Sequence, residues 1–229
     1  MMEYIIKNKK QEAEGVVSLY IERADGQRLD FNAGQYLVAK PLGSELRSKA
    51  FTISSSPNED LVCLTIKVKS GTSLALTKLN LGDKIVANGP FGHFYPENNS
   101  DELVMIAGGI GITPFYSVIK DRLQNKFFGK ITLFYSNKII TETAFISELN
   151  KIAQDNSNFK VVLNLTQEKP NDETRELGRL SINSVKKHLG DLKNKKYYLC
   201  GSIQFVNDIW KMLKDADVEE SVIFTEAMF

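Results

Sequence analysis

The hydrophobic pattern of this chain changes near Pro96, and that change constrains the fold more than any other feature. Before it, short runs rich in β-branched and aromatic residues are separated by Gly, Pro and Asn, at residues 16–22, 35–39, 50–54, 61–69 and 84–87. Many short strands with frequent turn signals predict a small antiparallel β-barrel, here with one short helix at 73–79.

After Pro96, fully apolar strands alternate with amphipathic helices. The strands are predicted at 103–107, 131–135, 159–165, 196–200 and 221–225, and the helices at 114–123, 142–153 and 205–214. Strands that are apolar on both faces and separated by helices indicate a parallel sheet. We therefore predict two unlike domains, a β-barrel at 1–98 and an α/β parallel-sheet domain at 99–229, joined by the polar residues 97–101.

Composition excludes several classes of protein. The 29 Lys and Arg residues nearly balance 28 Asp and Glu, and a net charge of +1 gives no general reason to bind nucleic acid or an anionic membrane. Two Cys and two His cannot hold a four-cysteine iron–sulfur cluster, so we expect no fused cluster domain and no metal site. The sequence contains no apolar run of the about 18 residues that a membrane helix needs, and the N-terminus lacks the apolar core of a signal peptide. A cytoplasmic protein is expected.

A glycine-rich loop, GGIGITP at residues 108–114, follows the first strand of the predicted α/β domain. Glycines allow backbone N–H groups to approach a phosphate, and a helix N-terminus adds a partial positive charge. Thr113 is predicted to be the helix N-cap and Pro114 the first helical residue. The alternative is a tight strand-to-helix turn that binds nothing. The loop is not the Rossmann fingerprint, because Pro114 replaces the third glycine and no acid follows the next strand at 136–138.

A second candidate segment is KAFTISSSP at residues 49–57. On a strand, the hydroxyls of Thr52 and Ser54 would hydrogen-bond a flat polar ring, Phe51 would stack on it, and Lys49 would meet a phosphate. Taken alone, the pattern favours a β-strand with a serine-rich exit turn. A third segment, GTS at 71–73, opens the short helix and is a weak candidate for a phosphate site.

Together and in this order, these motifs resemble those of the ferredoxin–NADP reductase family over nearly the whole chain. That family binds flavin through an R-x-[YF]-[ST] strand and a G-x-x-S helix start, and a nicotinamide nucleotide through G-G-x-G-x-T-P and a late C-G. Lys49, Phe51 and Thr52 match the first motif with lysine in place of arginine, which loses the bidentate fork toward phosphate. Gly71 and Ser73 match the second motif, with one residue fewer between them. Residues 108–114 match the third motif, and residues 200–201 match the fourth. GPFG at 89–92 also resembles the family's turn that closes the barrel.

The resemblance implies three catalytic residues. Thr52 would place its hydroxyl near flavin N5, Cys200 would flank the nicotinamide together with Thr113, and Glu226 would assist as the family's terminal acid. Phe229 would cover the flavin face, although it lies three residues after the acid rather than two. For Cys200 the alternative is a small buried hydrophobe, as we expect for Cys63, and for Phe229 it is a frayed terminus.

The resemblance also assigns two sets of binding residues. The FAD set is Lys49, Ala50, Phe51, Thr52, Ile66, Val68, Lys69, Gly71, Thr72, Ser73 and Phe229. The nicotinamide nucleotide set is Gly108, Gly109, Gly111, Thr113, Pro114, Asn137, Lys138, Cys200 and Gly201. FAD is expected rather than FMN because the resemblance is to FAD-binding members. Glu168 would repel a 2′-phosphate while Lys138 and Lys169 would attract it, and we favour NADH over NADPH.

The function implied is hydride transfer from NADH or NADPH onto FAD, followed by electron transfer to an acceptor. The nicotinamide would lie in the cleft between the domains. The acceptor would be a separate ferredoxin, flavodoxin, oxygenase component or other protein, and the basic clusters at 7–10 and 193–196 are either its docking sites or ordinary surface. Two alternatives stay open: a non-catalytic flavin-binding regulatory or electron-transfer subunit, and a nucleotide-binding module without flavin.

Overall fold

A computed structural model describes residues 1–97, 102–127, 129–168 and 175–228. The chain divides into two compact units: Met1–Tyr95 with Thr113–Asp121, and Pro96–Ile112 with Arg122–Phe229. The predicted boundary between residues 98 and 99 lies outside the described residues and stays a prediction.

The first unit contains a six-stranded antiparallel sheet. Its strands are β1 (Met2–Ala13), β2 (Val16–Arg23), β3 (Tyr36–Pro41), β4 (Lys49–Thr52), β5 (Val62–Lys67) and β6 (Lys84–Phe91). Their order is β4-β3-β6-β1-β2-β5. An antiparallel bridge between Ile53 and Leu64, at the two ends of that order, closes the sheet on itself. The predicted antiparallel β-barrel is confirmed.

Period-two alternation decides which side chains enter the barrel. On β2, Leu19 and Ile21 are fully buried in the core, which they share with Tyr4, Leu37 and Leu64 among others. Strand β1 was not predicted from the sequence, because lysines and acids dominate its outer positions and register shifts interrupt its alternation at Ile6/Asn8 and Gln11/Ala13. One short helix, α1 (Thr72–Lys78), follows β5 and packs against the barrel.

The second unit contains a six-stranded parallel sheet, as predicted. Its strands are β7 (Glu102–Gly108), β8 (Ile131–Asn137), β9 (Phe159–Leu165), β10 (Arg175–Leu177), β11 (Lys195–Ser202) and β12 (Ile223–Met228). Their order is β10-β9-β8-β7-β11-β12, so the chain runs outward from β7 in one direction and then returns to its other side with β11. Strand order therefore reverses between β7 and β11, and ligands of such sheets bind beyond the carboxyl ends of the strands at this point.

The helices that follow the glycine loop are α2 (Ile112–Gln124), α3 (Ile146–Asp155), α4 (Ile182–Leu189) and α5 (Ile203–Lys214). Two predicted starts were wrong. A 3-10 turn at Gly109–Gly111 leads into α2 at Ile112, so Thr113 is the second helical residue and not the N-cap. Phe145 precedes α3 with φ 61°, which delays that helix from residue 142 to Ile146. Among the described residues, no helix is long and apolar enough to cross a membrane.

Candidate functional site

The reversal point of the parallel sheet brings the glycine loop against the end of β11. A Cβ atom at Gly111 would lie 2.3 Å from the carbonyl oxygen of Cys200 and 2.7 Å from the nitrogen of Gly201. Gly111 is therefore required by a backbone-to-backbone contact and not only by the approach of a ligand. This contact joins two of the predicted nucleotide motifs, which are far apart in sequence.

The other three glycines at this sheet edge are required for different structural reasons. Gly108 and Gly201 both lie against the ring of Phe205. A Cβ atom at Gly108 would be 2.8 Å from this ring, and a Cβ atom at Gly201 would be 2.7 Å from it. Gly109 has φ +55°, and its Cβ would have only Asn137 Oδ1 within reach, at 4.0 Å. Gly109 is thus the loop glycine with free space beside it, and its left-handed conformation explains its identity.

Four buried polar atoms near the carboxyl ends of the strands have no hydrogen-bond partner among the described residues. They are the hydroxyl of Ser136, the amide nitrogen of Asn137, the amide oxygen of Asn164 and one carboxylate oxygen of Glu226. Native proteins pair nearly all such atoms, so an unpaired group at a ligand-binding edge indicates a place where a ligand completes the set. Asn137 and Glu226 were predicted as site residues, whereas Ser136 was missed because a serine at a strand end carries no signal by itself.

Cys200 and Glu226 are neighbours on β11 and β12, where they pair in register. Burial, reinforced by the nearby Glu226, raises the pKa of the Cys200 thiol, so this cysteine is a neutral packing group and not a thiolate. Burial also raises the pKa of the Glu226 carboxyl, to about 7. The pair is therefore able to hold a proton near neutral pH at the Glu226 carboxyl.

In the first unit, the predicted strand KAFT is β4. Lys49 and Ala50 are exposed, and the Lys49 ammonium has no partner in the part of the chain that the structure describes. Phe51 is half-buried and packs against the barrel core. Thr52 is buried, pairs through its backbone with Tyr36, and makes no side-chain hydrogen bond to another described residue. Lys49 and Thr52 are thus available to a ligand.

The segment from Ile66 to Ser73 has more of its groups engaged. The hydroxyl of Ser73 accepts from Lys69 N at 3.2 Å and donates to Ser70 O at 3.1 Å. Thr72 donates its hydroxyl to Arg47 O at 2.5 Å. Ile66 is in the barrel core, and its backbone pairs with Val17 across the sheet. Gly71, at φ +57°, has nothing within 4 Å of a Cβ position.

The serines that follow Thr52 belong to a hydrogen-bonded network in the barrel wall. The hydroxyl of Thr65 lies 2.7 Å from those of both Ser18 and Ser54. Ser55 accepts from Cys63 N at 3.0 Å with its hydroxyl and from the Ser117 hydroxyl at 2.6 Å with its carbonyl. Long-range partners therefore occupy the Ser54 hydroxyl, in agreement with the alternative of a serine-rich exit turn.

The remaining predicted positions are also located. Thr113 and Pro114 are buried in the first turn of α2, and Lys138 is exposed just after β8. Val68 is half-buried and donates its N–H to Gly15 O. Phe229 and Lys169 lie outside the described residues.

The basic clusters are partly engaged: Lys7 pairs with Glu22, Lys10 with Glu12, and Lys195 with Glu102. No cluster of His, Cys, Asp or Glu able to hold a metal occurs among the described residues.

These groups fit a nucleotide and a flavin. The unpaired atoms of Ser136, Asn137 and Glu226 offer two hydrogen-bond donors and a carboxyl at the nucleotide edge of the sheet. In the barrel, an unpaired ammonium at Lys49, an unpaired hydroxyl at Thr52 and an open glycine at 71 offer the charge, hydrogen bond and space that a flavin nucleotide needs.

Fold and site together define a flavin- and nicotinamide-nucleotide-binding oxidoreductase, and comparison with known proteins gives the family. An oxidoreductase FAD-binding domain matches residues 3–95, and an oxidoreductase NAD-binding domain matches residues 105–211. The chain belongs to the ferredoxin–NADP reductase family of FAD- and NAD-binding oxidoreductases. The resemblance found in the sequence is confirmed.

Curated relatives are longer than this chain. It is 24% identical to a component of the Na(+)-translocating NADH-quinone reductase of Methylococcus capsulatus, over 98% of this chain and 67% of the relative. It is 27% identical to a flavohemoprotein of Rhizobium meliloti, over 89% of this chain and 54% of the relative. The chain thus spans between about half and two thirds of the length of these relatives.

Solved structures show the same fold. The flavohem-like FAD/NAD-binding domain of nitric oxide dioxygenase from Vibrio cholerae superposes with a TM-score of 0.90 at 22% identity, over 99% of this chain and 98% of that one. A ferredoxin NADP+ reductase from Neisseria gonorrhoeae, solved with FAD and NADP, gives a TM-score of 0.85 at 21% identity, over 99% and 98%.

Proposed function

We propose that this chain accepts a hydride from a nicotinamide nucleotide onto bound FAD and passes the electrons to a separate acceptor. The observation that carries the proposal is the carboxyl edge of the parallel sheet, where Gly111 meets the Cys200 backbone near buried polar atoms that have no partner among the described residues. When bound, the two cofactors supply the redox chemistry, and the protein supplies binding, orientation and exclusion of water.

At the nucleotide edge, each residue would act through a defined group. The free space beside Gly109 would admit the diphosphate, and Asn137 and Ser136 would donate to the nucleotide's polar atoms. Cys200 would pack as a neutral apolar group against the nicotinamide. Glu226, whose pKa burial raises to about 7, would hold or release a proton next to it.

In the barrel, Lys49 would neutralise the FAD diphosphate as a point charge, with the neighbouring Ala50 backbone, while Lys69 would add a second positive charge. Phe51 would contribute the apolar surface that its half-buried ring offers, and Thr52 would donate a hydrogen bond where the hydride arrives. Val68, Gly71, Thr72 and Ser73 would contribute through their backbone, because their hydroxyls, where present, already have partners.

For the acceptor, we propose a separate electron-carrier protein of the ferredoxin or flavodoxin type or an oxygenase component. The support is the Neisseria gonorrhoeae structure, a ferredoxin NADP+ reductase that this chain matches over 98% of its length. Docking would not rely on Lys7, Lys10 or Lys195, which pair with acids of their own chain. The cytoplasmic location expected from the sequence stays a prediction.

An anaerobic titration of the purified protein, followed by visible absorbance, tests the proposal. Bleaching of a flavin spectrum by NADH or NADPH supports it. A yellow protein that neither nucleotide bleaches would favour the non-catalytic flavin-binding protein instead. A colourless protein that does not take up added FAD would contradict the flavin assignment.

A further inference from the structure

The first half of helix α2 belongs to the same compact unit as the barrel. Residues Thr113–Asp121 form one unit with Met1–Tyr95. Within this unit, Phe115 of α2 packs on Phe94, and the centroids of the two rings are 5.7 Å apart. Two polar contacts add to this apolar one, and both reach the segment of the barrel that follows strand β4.

The fully buried polar contact is made by Ser117. Its hydroxyl donates to the Ser55 carbonyl at 2.6 Å, and both residues are completely buried. A hydroxyl has a single hydrogen to donate, and a serine inside a helix commonly gives it to the carbonyl four residues back. Here the hydrogen goes to a carbonyl that is 62 residues away in sequence. Ser117 therefore holds the barrel segment instead of bonding within its own helix.

Lys120, one turn further along α2, reaches the same segment through a carboxylate. Its ammonium pairs with Glu59 at 2.5 Å, and the same oxygen of Glu59 accepts from Ser56 N at 3.0 Å. The Ser55 carbonyl and the Ser56 N–H belong to one peptide unit. Both polar groups of this peptide are thus held, one directly by Ser117 and the other through the ion pair between Lys120 and Glu59.

The two residues between this peptide and Thr52 are also held in place. Ile53 N donates to Gln35 O at 2.9 Å. Ser54 N donates to Cys63 O at 2.8 Å. Helix α2 is therefore attached to a fixed extension of the strand that carries Thr52, within a single compact unit.

We propose that Ser117 is a positioning residue for hydride transfer, because its bond to Ser55 fixes the start of α2 relative to Thr52. The inference rests on the proposed function, in which the loop before α2 binds the nucleotide and Thr52 lies where the hydride arrives. Transfer between two bound rings depends steeply on their distance, and a misplacement of about 1 Å costs about 100-fold in rate. Without the Ser117 hydroxyl, the Ser55 carbonyl would be buried without this donor, which favours a shift of the peptide away from α2.

The test compares Ser117→Ala with the wild type, both as full chains loaded with FAD. Flavin reduction at saturating nucleotide, followed by stopped-flow absorbance, is expected to slow about tenfold, because a helix that loses one tether moves by a fraction of an ångström. The dissociation constants of nucleotide and flavin are expected to stay within about twofold of the wild-type values. Reduction by dithionite needs no bound nucleotide, and its rate is expected to be unchanged.

Two further readouts do not depend on turnover. The long-wavelength absorbance of stacked nicotinamide and flavin rings is expected to weaken in Ser117→Ala, because this absorbance requires the rings to overlap. In the nucleotide-free protein, amide hydrogen exchange is expected to become faster at residues 117–121 and 55–56, with the rest of the barrel unchanged.

Two other variants serve as controls. Thr65→Val removes a buried hydroxyl from the barrel wall, and we expect it to lower stability without changing the reduction rate or the long-wavelength absorbance. Lys120→Met removes the second tether, whose side chains are 17% and 30% exposed. We expect it to slow reduction less than Ser117→Ala does, since an ion pair that is open to solvent contributes little.

Three results would overturn the proposal. The first is a reduction rate in Ser117→Ala equal to that of the wild type. The second is an equal slowing in Thr65→Val, which would mean that the rate follows stability alone. The third is a loss of nucleotide affinity that accounts for the whole change, because Ser117 would then act on binding and not on position.

Failure of this inference is distinguishable from failure of the proposed function. If the proposed function fails, neither NADH nor NADPH reduces the wild type, although dithionite does, and this inference falls with it. If only this inference fails, a nucleotide reduces the wild type and Ser117→Ala equally fast.

Discussion

Two polar regions of this chain, one in the barrel wall and one at the edge of the parallel sheet, differ in how their groups are paired. In the wall, Thr65 lies within hydrogen-bond distance of Ser18 and Ser54, and all three are buried. At the sheet edge, Ser136 and Glu226 each keep a buried polar atom without a partner in the part of the chain that the structure describes. An unpaired buried polar group costs about 1–3 kcal/mol, so the first arrangement stabilises the fold and the second lowers stability until a ligand fills it. The unpaired groups at the sheet edge, and not the hydroxyl-rich barrel wall, are therefore the polar groups that a bound nucleotide would pair.

The largest expected effect is at the glycine that holds the sheet edge together. Gly111→Val would place side-chain atoms inside the 2.3 Å gap to the Cys200 carbonyl, and this backbone cannot retreat without disturbing β11. We expect the free energy of unfolding to fall by about 3 kcal/mol or more. Nucleotide affinity should fall by about 100-fold or more, since both nucleotide motifs meet at this contact. Thermal unfolding and titration calorimetry measure the two effects.

Gly109→Ala is the matched control for that variant. Its Cβ would have free space, so the cost is the left-handed backbone alone, about 1 kcal/mol. The barrel is expected to keep a normal flavin spectrum in both variants. Nucleotide affinity that survives in Gly111→Val would contradict the importance of the contact with Cys200.

The second prediction removes one hydroxyl from the paired region in the barrel wall. Thr65→Val removes the hydroxyl that Ser18 and Ser54 share, and the Ser18 hydroxyl loses its partner in the barrel wall. The free energy of unfolding should fall by about 2 kcal/mol, with nucleotide affinity unchanged. Denaturant unfolding measures the first, and calorimetry with the nucleotide measures the second.

A hydroxyl elsewhere provides the control for Thr65→Val. Thr77 donates to Leu74 O within its own helix at 3.1 Å, so Thr77→Val should cost about 0.5 kcal/mol or less. If the two variants lose the same stability, the network in the barrel wall has no special role.

The sequence predicted the architecture because each domain repeats one local pattern. Alternation in the barrel and apolar strands between helices in the second unit are properties of neighbouring residues. The pairing of polar groups was not predictable, because partners come from distant segments. Ser55 bonds to Ser117, which lies 62 residues away, and Gly111 meets Cys200, which lies 89 residues away.

The same dependence on distant partners explains which candidate site residues could be predicted from the sequence and which could not. Gly108 to Pro114 and Cys200–Gly201 were predicted from motif and position, and the structure brings the two segments together at the sheet edge. Ser54 was a candidate on residue type alone, and its hydroxyl bonds to Thr65 and Cys63 instead. Ser136 was missed for the opposite reason, since only the absence of a partner distinguishes it.

The third prediction separates Thr52 from the paired network nearby. Thr52 is buried as the network hydroxyls are, but its own hydroxyl has no partner among the described residues. Thr52→Ala should therefore slow flavin reduction by the nucleotide about tenfold, the effect of one hydrogen bond in the transition state. Flavin affinity and the free energy of unfolding should change little, in contrast with Thr65→Val. Stopped-flow absorbance measures the reduction rate, and an unchanged rate would remove Thr52 from the mechanism.

The most gradual expected effect is a pH dependence at the unpaired edge. Burial raises the pKa of Glu226 from 4.5 to about 7, so the folded state holds this proton more tightly than the unfolded state does. Its contribution to stability is complete below pH 4.5 and is lost as the pH rises toward 7, with a slope of at most about 1.4 kcal/mol per pH unit. Glu226→Gln removes that loss, so in the absence of nucleotide the variant should gain on the wild type across this interval.

Glu176 provides the opposite case for comparison. Burial acts to raise its pKa, but hydrogen bonds from Ser184, His188 and Lys187 outweigh burial and hold the pKa at about 2. Its contribution is therefore present above its ordinary pKa of 4.5 and is lost as the pH falls toward 2. Glu176→Gln should lose stability relative to the wild type above pH 4.5, where Glu226→Gln begins to gain it.

Equilibrium unfolding of the nucleotide-free protein at a series of pH values measures both differences. A difference between wild type and Glu226→Gln that stays flat from 4.5 to 7 would mean that the edge carboxyl is solvated, and the contrast between paired and unpaired regions would fail at this residue.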